Sequence, residues 1–143
     1  MVAAVLAFAT AGGLALRRRD GRLAAAPRSA AGQQPLTGAE RGQPLGSRAT
    51  LLPVSSSFCA PCRAARQLLA DVAARDTGVT HVEIDVADRL DLVRRLDVRR
   101  TPTLFVLGPQ GQVTRRASGL PRREDVVAAV ALATGGSVAG TGK

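Results

Sequence analysis

The pattern of hydrophobic and polar residues predicts four β-strands after residue 49. They are TLLPVSSSF at 50–58, THVEIDV at 80–86, TLFVL at 103–107 and QVTRRAS at 112–118. In the alternating strand, Val82 and Ile84 share one face and His81 and Glu83 share the other. Pro53 is awkward in a central strand, because proline has no N–H to give to the ladder.

Three helices are predicted between and after these strands. The first has an apolar stripe from Ala65 and ends before Gly78, the second covers DRLDLVRRLDV at 88–98, and the third has Pro121 at its first position and stops at Gly135. The resulting order, β-α-β-α-β-β-α, predicts an α/β fold with a mixed central sheet and helices on both faces.

The N-terminus is apolar and is followed at once by a basic cluster. Residues 1–16 carry no charge and Arg17, Arg18 and Arg19 come next. As a helix, the apolar run is about 24 Å long, against about 30 Å for the hydrocarbon core of a bilayer. We interpret it as a marginal transmembrane anchor, with three alternatives: a cleaved signal, an artefact of a misplaced start codon, or a soluble helix. The positive-inside rule then predicts a cell-membrane protein whose domain is cytoplasmic.

Composition divides the rest of the chain. Residues 17–46 are rich in Ala, Gly, Gln, Pro and Arg and predict a basic, flexible linker, 47–134 form the folded domain, and 135–143 form a disordered tail. The net charge is +9, but there are only three aromatic residues. Because single-strand binding relies on aromatic stacking, we expect no nucleic-acid partner.

The chemistry of the chain is concentrated in SSSFCAPCRAAR at 55–66, which holds both cysteines. A closed zinc site needs four ligands, and Cys59, Cys62 and His81 supply three, so zinc would require a dimer and we expect no metal. A disulfide across so short a loop adds little stability. Two cysteines that simply pack in the core remain an alternative.

A reaction centre explains the neighbouring residues as well. If Pro61 lies in the first helical turn, Cys59 stands at a helix N-terminus, where the free N–H groups and the dipole favour a thiolate. The thiolate is the nucleophile, and Cys62, almost one turn later, is placed to resolve the mixed disulfide that Cys59 forms.

The motifs together resemble those of thioredoxin-like proteins. F-C-A-P-C-R follows an apolar strand, T-P-T at 101–103 precedes a strand some forty residues later, and Ser118-Gly119-Leu120 links the last strand to the last helix. The resemblance covers roughly residues 45–134 and implies a thioredoxin-like fold.

The resemblance also implies roles for residues around the cysteines. Pro102 would be a cis-proline opposite the cysteines, and the backbone of Thr101 would pair with a substrate strand. Ala60 and Pro61 would tune the redox potential. Phe58 would replace the usual tryptophan, and Arg63 matches a common basic residue.

Two positions depart from the family pattern. The buried acid that assists proton transfer to the second cysteine falls on Pro53, and its partner lysine falls on His81. His81 is a candidate proton relay, although a histidine on a polar strand face is more often a bystander.

These observations predict a thiol–disulfide oxidoreductase that acts on protein substrates without a cofactor, together with a redox partner, a reductase or an oxidant, that resets the pair. Two alternatives remain. One is a non-catalytic binding module that holds a partner at Thr101. The other is an extracytoplasmic reductase resembling those of cytochrome c maturation.

Overall fold

The computed structural model describes residues 1–26 and 34–135. Its elements, in chain order, are α1 (Val2–Arg19), β1 (Ala24–Ala25), α2 (Gly38–Arg41), β2 (Ala49–Ser55), α3 (Ala60–Ala74), β3 (Val79–His81), β4 (Ile84–Asp85), α4 (Leu90–Arg95), β5 (Thr103–Leu107), β6 (Val113–Ser118) and α5 (Arg123–Gly135). Segment 27–33 of the predicted linker and segment 136–143 of the predicted tail lie outside the described residues.

The strands form one mixed sheet in the order β1-β6-β5-β2-β3, with β4 also paired to β2. Strand β2 is parallel to β3 and β4 and antiparallel to β5, and β5 is antiparallel to β6. The predicted mixed α/β sheet is confirmed. Strand β2 lies inside the sheet, between β5 on one side and β3 and β4 on the other, and its C-terminal end leads directly into the loop before α3.

Apolar side chains fill both faces of the sheet. On one face, Leu69 and Val72 of α3 and Val126 and Val130 of α5 form a core with Leu51. On the other face, a second core is formed by residues of the strands, of the α4 region and of the chain before β2. Its members are Leu36, Leu52, Val54, Val82, Ile84, Leu92, Leu96, Phe105 and Leu107. Helices therefore cover both faces, as predicted.

Pro53 lies fully buried in β2, opposite Leu104 of β5. The parallel ladder on its other side is interrupted. Val82 N–H donates to the Leu51 carbonyl, and Val86 N–H donates to the Ser55 carbonyl. In this register the Val82 carbonyl faces the nitrogen of Pro53, which has no hydrogen. The single predicted strand 80–86 is accordingly divided into β3 and β4.

Helix α1 differs from the predicted transmembrane anchor at 1–16. Its 18 residues end in Arg17, Arg18 and Arg19, so the apolar part is shorter than the helix. Among the described helices, none has the length and apolar character needed to cross a bilayer. The expected membrane anchor is therefore not supported.

The described part of segment 17–46, for which we predicted a flexible linker, packs on the domain. Strand β1 pairs with β6 through Ala24 and Arg116. Helix α2 begins with a capping box in which Thr37 and Glu40 exchange hydrogen bonds. Leu36 is 2% exposed. Helix α5 begins at Arg123, two residues later than the proline-initiated start that we predicted.

Candidate active site

The two cysteines occupy the start of α3, as predicted. Cys59 is the N-cap residue, and Pro61 is the second residue of the helix. The Cys62 N–H donates to the Cys59 Sγ at 3.2 Å, so the sulfur takes the position that a capping oxygen normally holds. The two sulfurs are at disulfide distance, with their Cα atoms 5.1 Å apart.

Solvent access distinguishes the two cysteines. Cys59 is partly exposed, whereas Cys62 is 1% exposed. The predicted supporting residues form the rim: Phe58 is fully exposed, and Ala60, Pro61 and Arg63 are also exposed. Only the first cysteine can therefore meet a sulfur of another protein without movement of α3.

The loop before β5 faces the dithiol. The Thr101–Pro102 peptide bond is cis, as the resemblance implied. The Thr101 carbonyl oxygen lies 3.9 Å from the Cys59 Sγ. Gly119 N–H donates to the Pro102 carbonyl at 2.7 Å, which ties this loop to the end of β6. The predicted substrate-binding pair thus lies beside the predicted nucleophile.

A groove of about 440 Å³ runs along this loop. Pro61, Thr101 and Pro102 line it near the cysteines, and Gly119 and Leu120 continue it. Its remaining wall consists of Asp20 and Arg100, which form an ion pair. Sequence reasoning missed this pair, because 80 residues separate the two side chains and no local pattern links them.

A carboxylate from outside α3 is bound to the first half of this helix, but not at the position where the resemblance led us to expect one. Glu83, in the interruption between β3 and β4, accepts hydrogen bonds from Arg66 Nε at 2.5 Å and Arg66 Nη2 at 2.7 Å. The buried Ser55 hydroxyl also donates to it. Arg66 lies four residues after Cys62, so it is on the same side of α3, one turn further on. Glu83 therefore joins β2, the interrupted strand and the active-site helix.

The electrostatics of this cluster follow from these contacts. The hydrogen bonds from Arg66 hold the pKa of Glu83 below its usual range, against the opposing effect of burial. Glu83 is thus ionised at neutral pH. The alternating strand pattern had placed it on a polar face, but the pattern carries no information about the helix that covers that face.

His81 is on the same strand face and is half-buried. Its Nε2 is buried and has no hydrogen-bond partner within the described ranges. Burial lowers the pKa of His81, an effect that Glu83 opposes and Arg66 reinforces. The imidazole is therefore neutral at pH 7. Its predicted part in proton transfer stays a prediction.

Metal ligands do not gather around the cysteines. In residues 1–26 and 34–135, no group of three or more His, Cys, Asp or Glu side chains could hold a metal ion. The described hydrogen-bond partners of the Cys59 sulfur are backbone groups, the Cys62 N–H and the Thr101 carbonyl. This chemistry suits sulfur exchange with a peptide.

Fold and site together define a class of protein, the small α/β domains in which a dithiol at a helix N-terminus faces a cis-proline loop. Solved structures share this fold: thioredoxin NaTrxh from Nicotiana alata matches with a TM-score of 0.54 and 22% identity, over 60% of this chain and 73% of that chain. Thioredoxin from Fasciola hepatica matches with a TM-score of 0.54 and 18% identity, over 61% and 82%.

The Thioredoxin family profile matches residues 43–132, and this chain belongs to the thioredoxin family. Thioredoxin H5 of Oryza sativa subsp. japonica is 29% identical over 72 residues, which are 50% of this chain and 53% of that protein. Thioredoxin H4-2 of the same plant is 32% identical over 78 residues, 54% and 59% of the two chains. The matched region thus spans little more than half the length of these relatives.

Proposed function

We propose that this protein is a thiol–disulfide oxidoreductase that exchanges disulfides with protein substrates through Cys59 and Cys62. The observation that carries the proposal is the difference in access between the two sulfurs beside the Thr101–Pro102 loop. Cys59 is partly exposed and 3.9 Å from the Thr101 carbonyl, and Cys62 is buried behind it. Membership of the thioredoxin family supports the same chemistry.

The proposed reaction has two exchange steps. The Cys59 thiolate attacks one sulfur of a substrate disulfide, which forms a mixed disulfide and releases the other substrate sulfur as a thiolate. The Cys62 thiolate then attacks the Cys59 sulfur and releases the second substrate thiolate. The substrate gains two electrons and, on protonation, two protons, while Cys59 and Cys62 become a disulfide. A separate thiol reductant must restore the dithiol.

The surroundings of Cys59 suit both steps. Its sulfur receives the Cys62 N–H, and such hydrogen bonds at a helix N-terminus favour the charged form of a thiol. The Thr101 backbone can pair with an extended substrate segment and hold its disulfide against Cys59. Since Cys62 lies in the first turn of α3, the second step requires no rearrangement of the helix.

The proton that Cys62 loses before the second step has three routes: solvent, His81 or Glu83. We favour solvent, because neither side chain is hydrogen-bonded to a cysteine among the described residues. The hydrogen bonds of Glu83 are with Arg66 and Ser55, and His81 Nε2 has no hydrogen-bond partner there. The exchange rates of wild type and His81→Ala should then show parallel pH profiles. A titration below the usual imidazole pKa of about 6.5, where burial shifts the pKa of His81, that disappears in His81→Ala would assign the relay to His81.

A trapping experiment tests the function. Cys62→Ser should accumulate a mixed disulfide with a disulfide-bonded peptide, through Cys59, because the resolving sulfur is gone. Cys59→Ser should trap nothing. If neither variant forms an adduct while the oxidised protein still binds the peptide, the chain is a binding module and not an oxidoreductase.

We also propose a cytoplasmic location for the domain. Support comes from Arg17, Arg18 and Arg19, because basic residues directly after an apolar segment oppose transfer of the following chain across a membrane, whether or not that segment itself spans one. Attachment to a membrane through α1 is a separate prediction, which fractionation of cells into membrane and soluble material would test.

A further inference from the structure

A second cavity of about 400 Å³ adjoins the groove at the cis-proline loop, because Asp20 forms part of the wall of both. Four arginines line this cavity: Arg17 and Arg18 from α1, Arg22 from the chain before β1, and Arg122, the residue directly before α5. A segment that crosses the cis-proline loop is thus led toward a basic surface.

The four arginines have no carboxylate within ion-pair distance in the described part of the chain. Two carboxylates line the same cavity, Asp125 and Asp20. Asp20 is already paired with Arg100 on the groove side. The cavity therefore has an excess of positive charge that the protein does not neutralise.

The position of this cavity depends on the chain between α1 and β1. Gly21 has a φ of +75° and donates its N–H to the Ser118 carbonyl at 2.7 Å. A Cβ at this position would come within 1.9 Å of the Leu120 carbonyl oxygen. Only glycine fits this close approach, which fixes Asp20 and Arg22 against the end of β6.

We propose that the groove and the arginine-lined cavity form one extended binding surface that selects disulfide substrates with acidic residues near the reacting cysteine. This inference rests on the proposed function and names its substrate class. Acidic side chains of the substrate pair with Arg17, Arg18, Arg22 and Arg122 while its cysteine lies against Cys59. The attraction also increases the rate of encounter, since a cleft of one charge steers an oppositely charged partner.

An anionic lipid surface is a weaker candidate for the same arginines. The cavity is concave, and Arg122 comes from the chain directly before α5 and not from the apolar helix α1. A bilayer surface is flat on this scale. The shared wall at Asp20 also favours an extended peptide, which could occupy both the groove and the cavity.

The test compares three disulfide-linked peptides of equal length whose flanking residues are Glu, Gln or Lys. The full chain, kept reduced by a chemical thiol, is assayed for kcat/KM with each peptide at low and high salt. At low salt we expect the Glu peptide to be preferred over the Gln peptide by about 5- to 10-fold, and the Lys peptide to be the poorest. At 0.5 M salt the preference should fall to about 2-fold or less, because screening shortens the range of these charges.

Paired variants assign the preference to the cavity. Arg22→Gln combined with Arg122→Gln should lower the Glu-to-Gln ratio by roughly 5-fold. The control combines Arg75→Gln with Arg94→Gln and removes the same amount of charge. Arg75 directly follows the C-terminal end of α3, and Arg94 lies in α4, on the other face of the sheet from α3. This control should keep the wild-type Glu-to-Gln ratio. The ratio within one variant cancels any general loss of activity.

Three results would overturn the proposal. Equal rates for all three peptides would support the oxidoreductase function but contradict the proposed preference for acidic substrates. If none of the peptides were reduced, both the function and the preference would be contradicted. Finally, the arginines would be assigned to lipid if vesicles of phosphatidylcholine with about 30% phosphatidylglycerol bound wild type but not the Arg22/Arg122 variant, while the Glu-to-Gln ratio stayed the same in both proteins.

Discussion

The Glu83 carboxylate should stabilise the domain through the active-site helix. In Glu83→Gln the shape of the side chain is kept, but its charge is lost and one acceptor oxygen is replaced by an NH2 donor, so Arg66 and Ser55 share one neutral oxygen in place of an ionised carboxylate. Hydrogen bonds to a charged group contribute about 1.5–3 kcal/mol when shielded, and exposed ion pairs contribute about 0.2–1 kcal/mol. The Glu83 side chain is 26% exposed and that of Arg66 is 44% exposed, so this ion pair is intermediate between a shielded and a fully exposed one.

We therefore expect Glu83→Gln to lower the free energy of unfolding at pH 7 by about 1–2 kcal/mol after allowance for solvent screening. For a domain of this size, that corresponds to a decrease in Tm of roughly 5–10 °C. The oxidised protein would be unfolded in urea, so that the redox state of the cysteines does not vary. Asp88→Asn is the matched control: Asp88 is exposed and has no ion pair among the described residues, and its removal should cost less than about 0.5 kcal/mol.

The effect of pH gives the decisive result. Because Arg66 lowers the pKa of Glu83 in the folded protein, the unfolded chain takes up the proton first as the solution is acidified. The stabilisation is complete above the usual glutamate pKa and is lost as pH falls through the lowered one. At pH 3 the difference between wild type and Glu83→Gln should shrink. An equal difference at pH 3 and pH 7, or none at pH 7, would refute the reasoning.

Four further predictions follow from other parts of the molecule. Brief alkylation of the reduced protein at neutral pH should label Cys59 before Cys62, because Cys62 is 1% exposed; mass-spectrometric mapping that found Cys62 labelled first would reverse their roles. Burial lowers the pKa of His81, so between pH 7.5 and 5.5 the unfolded chain binds a proton more readily than the folded protein does. The midpoint of urea unfolding should therefore fall as the pH is lowered in wild type, and fall less in His81→Gln. An equal decrease of the midpoint in both proteins would contradict this. Gly21→Ala should release the chain before β1 and increase tryptic cleavage after Arg22, whereas Gly12→Ala, in open space on α1, should leave the cleavage rate unchanged. An alkaline phosphatase fused after Thr134 should be inactive in bacterial cells, and activity there would place the domain outside the cytoplasm.

Local rules in the sequence predicted the dithiol well. The position of Cys59 at the start of α3 depends on Pro61 and on the apolar stripe that follows, both within a few residues. The sheet and the helices on both faces likewise follow from periodicity. The family pattern also predicted the cis bond at Pro102, which no local spacing could have shown.

Long-range contacts were beyond such rules. The pattern of 80–86 assigned His81 and Glu83 to a polar face, and their burial depends on Arg66 from a helix that the pattern does not position. Asp20 meets Arg100 only because β1 joins the edge of the sheet. Composition indicated a flexible segment there, since two alanines carry no strand pattern of their own.

The interruption opposite Pro53 affects how the domain meets other copies of itself. Long edge strands offer unpaired backbone groups on which a second chain can add a strand, and this is a common route to aggregation. Here one described edge of the sheet consists of β3 and β4, with three and two residues, and the other is β1, with two. Each is too short to template a stable intermolecular sheet. The proline that removes one hydrogen bond inside the domain thereby also limits the length of edge strand on which another chain can add.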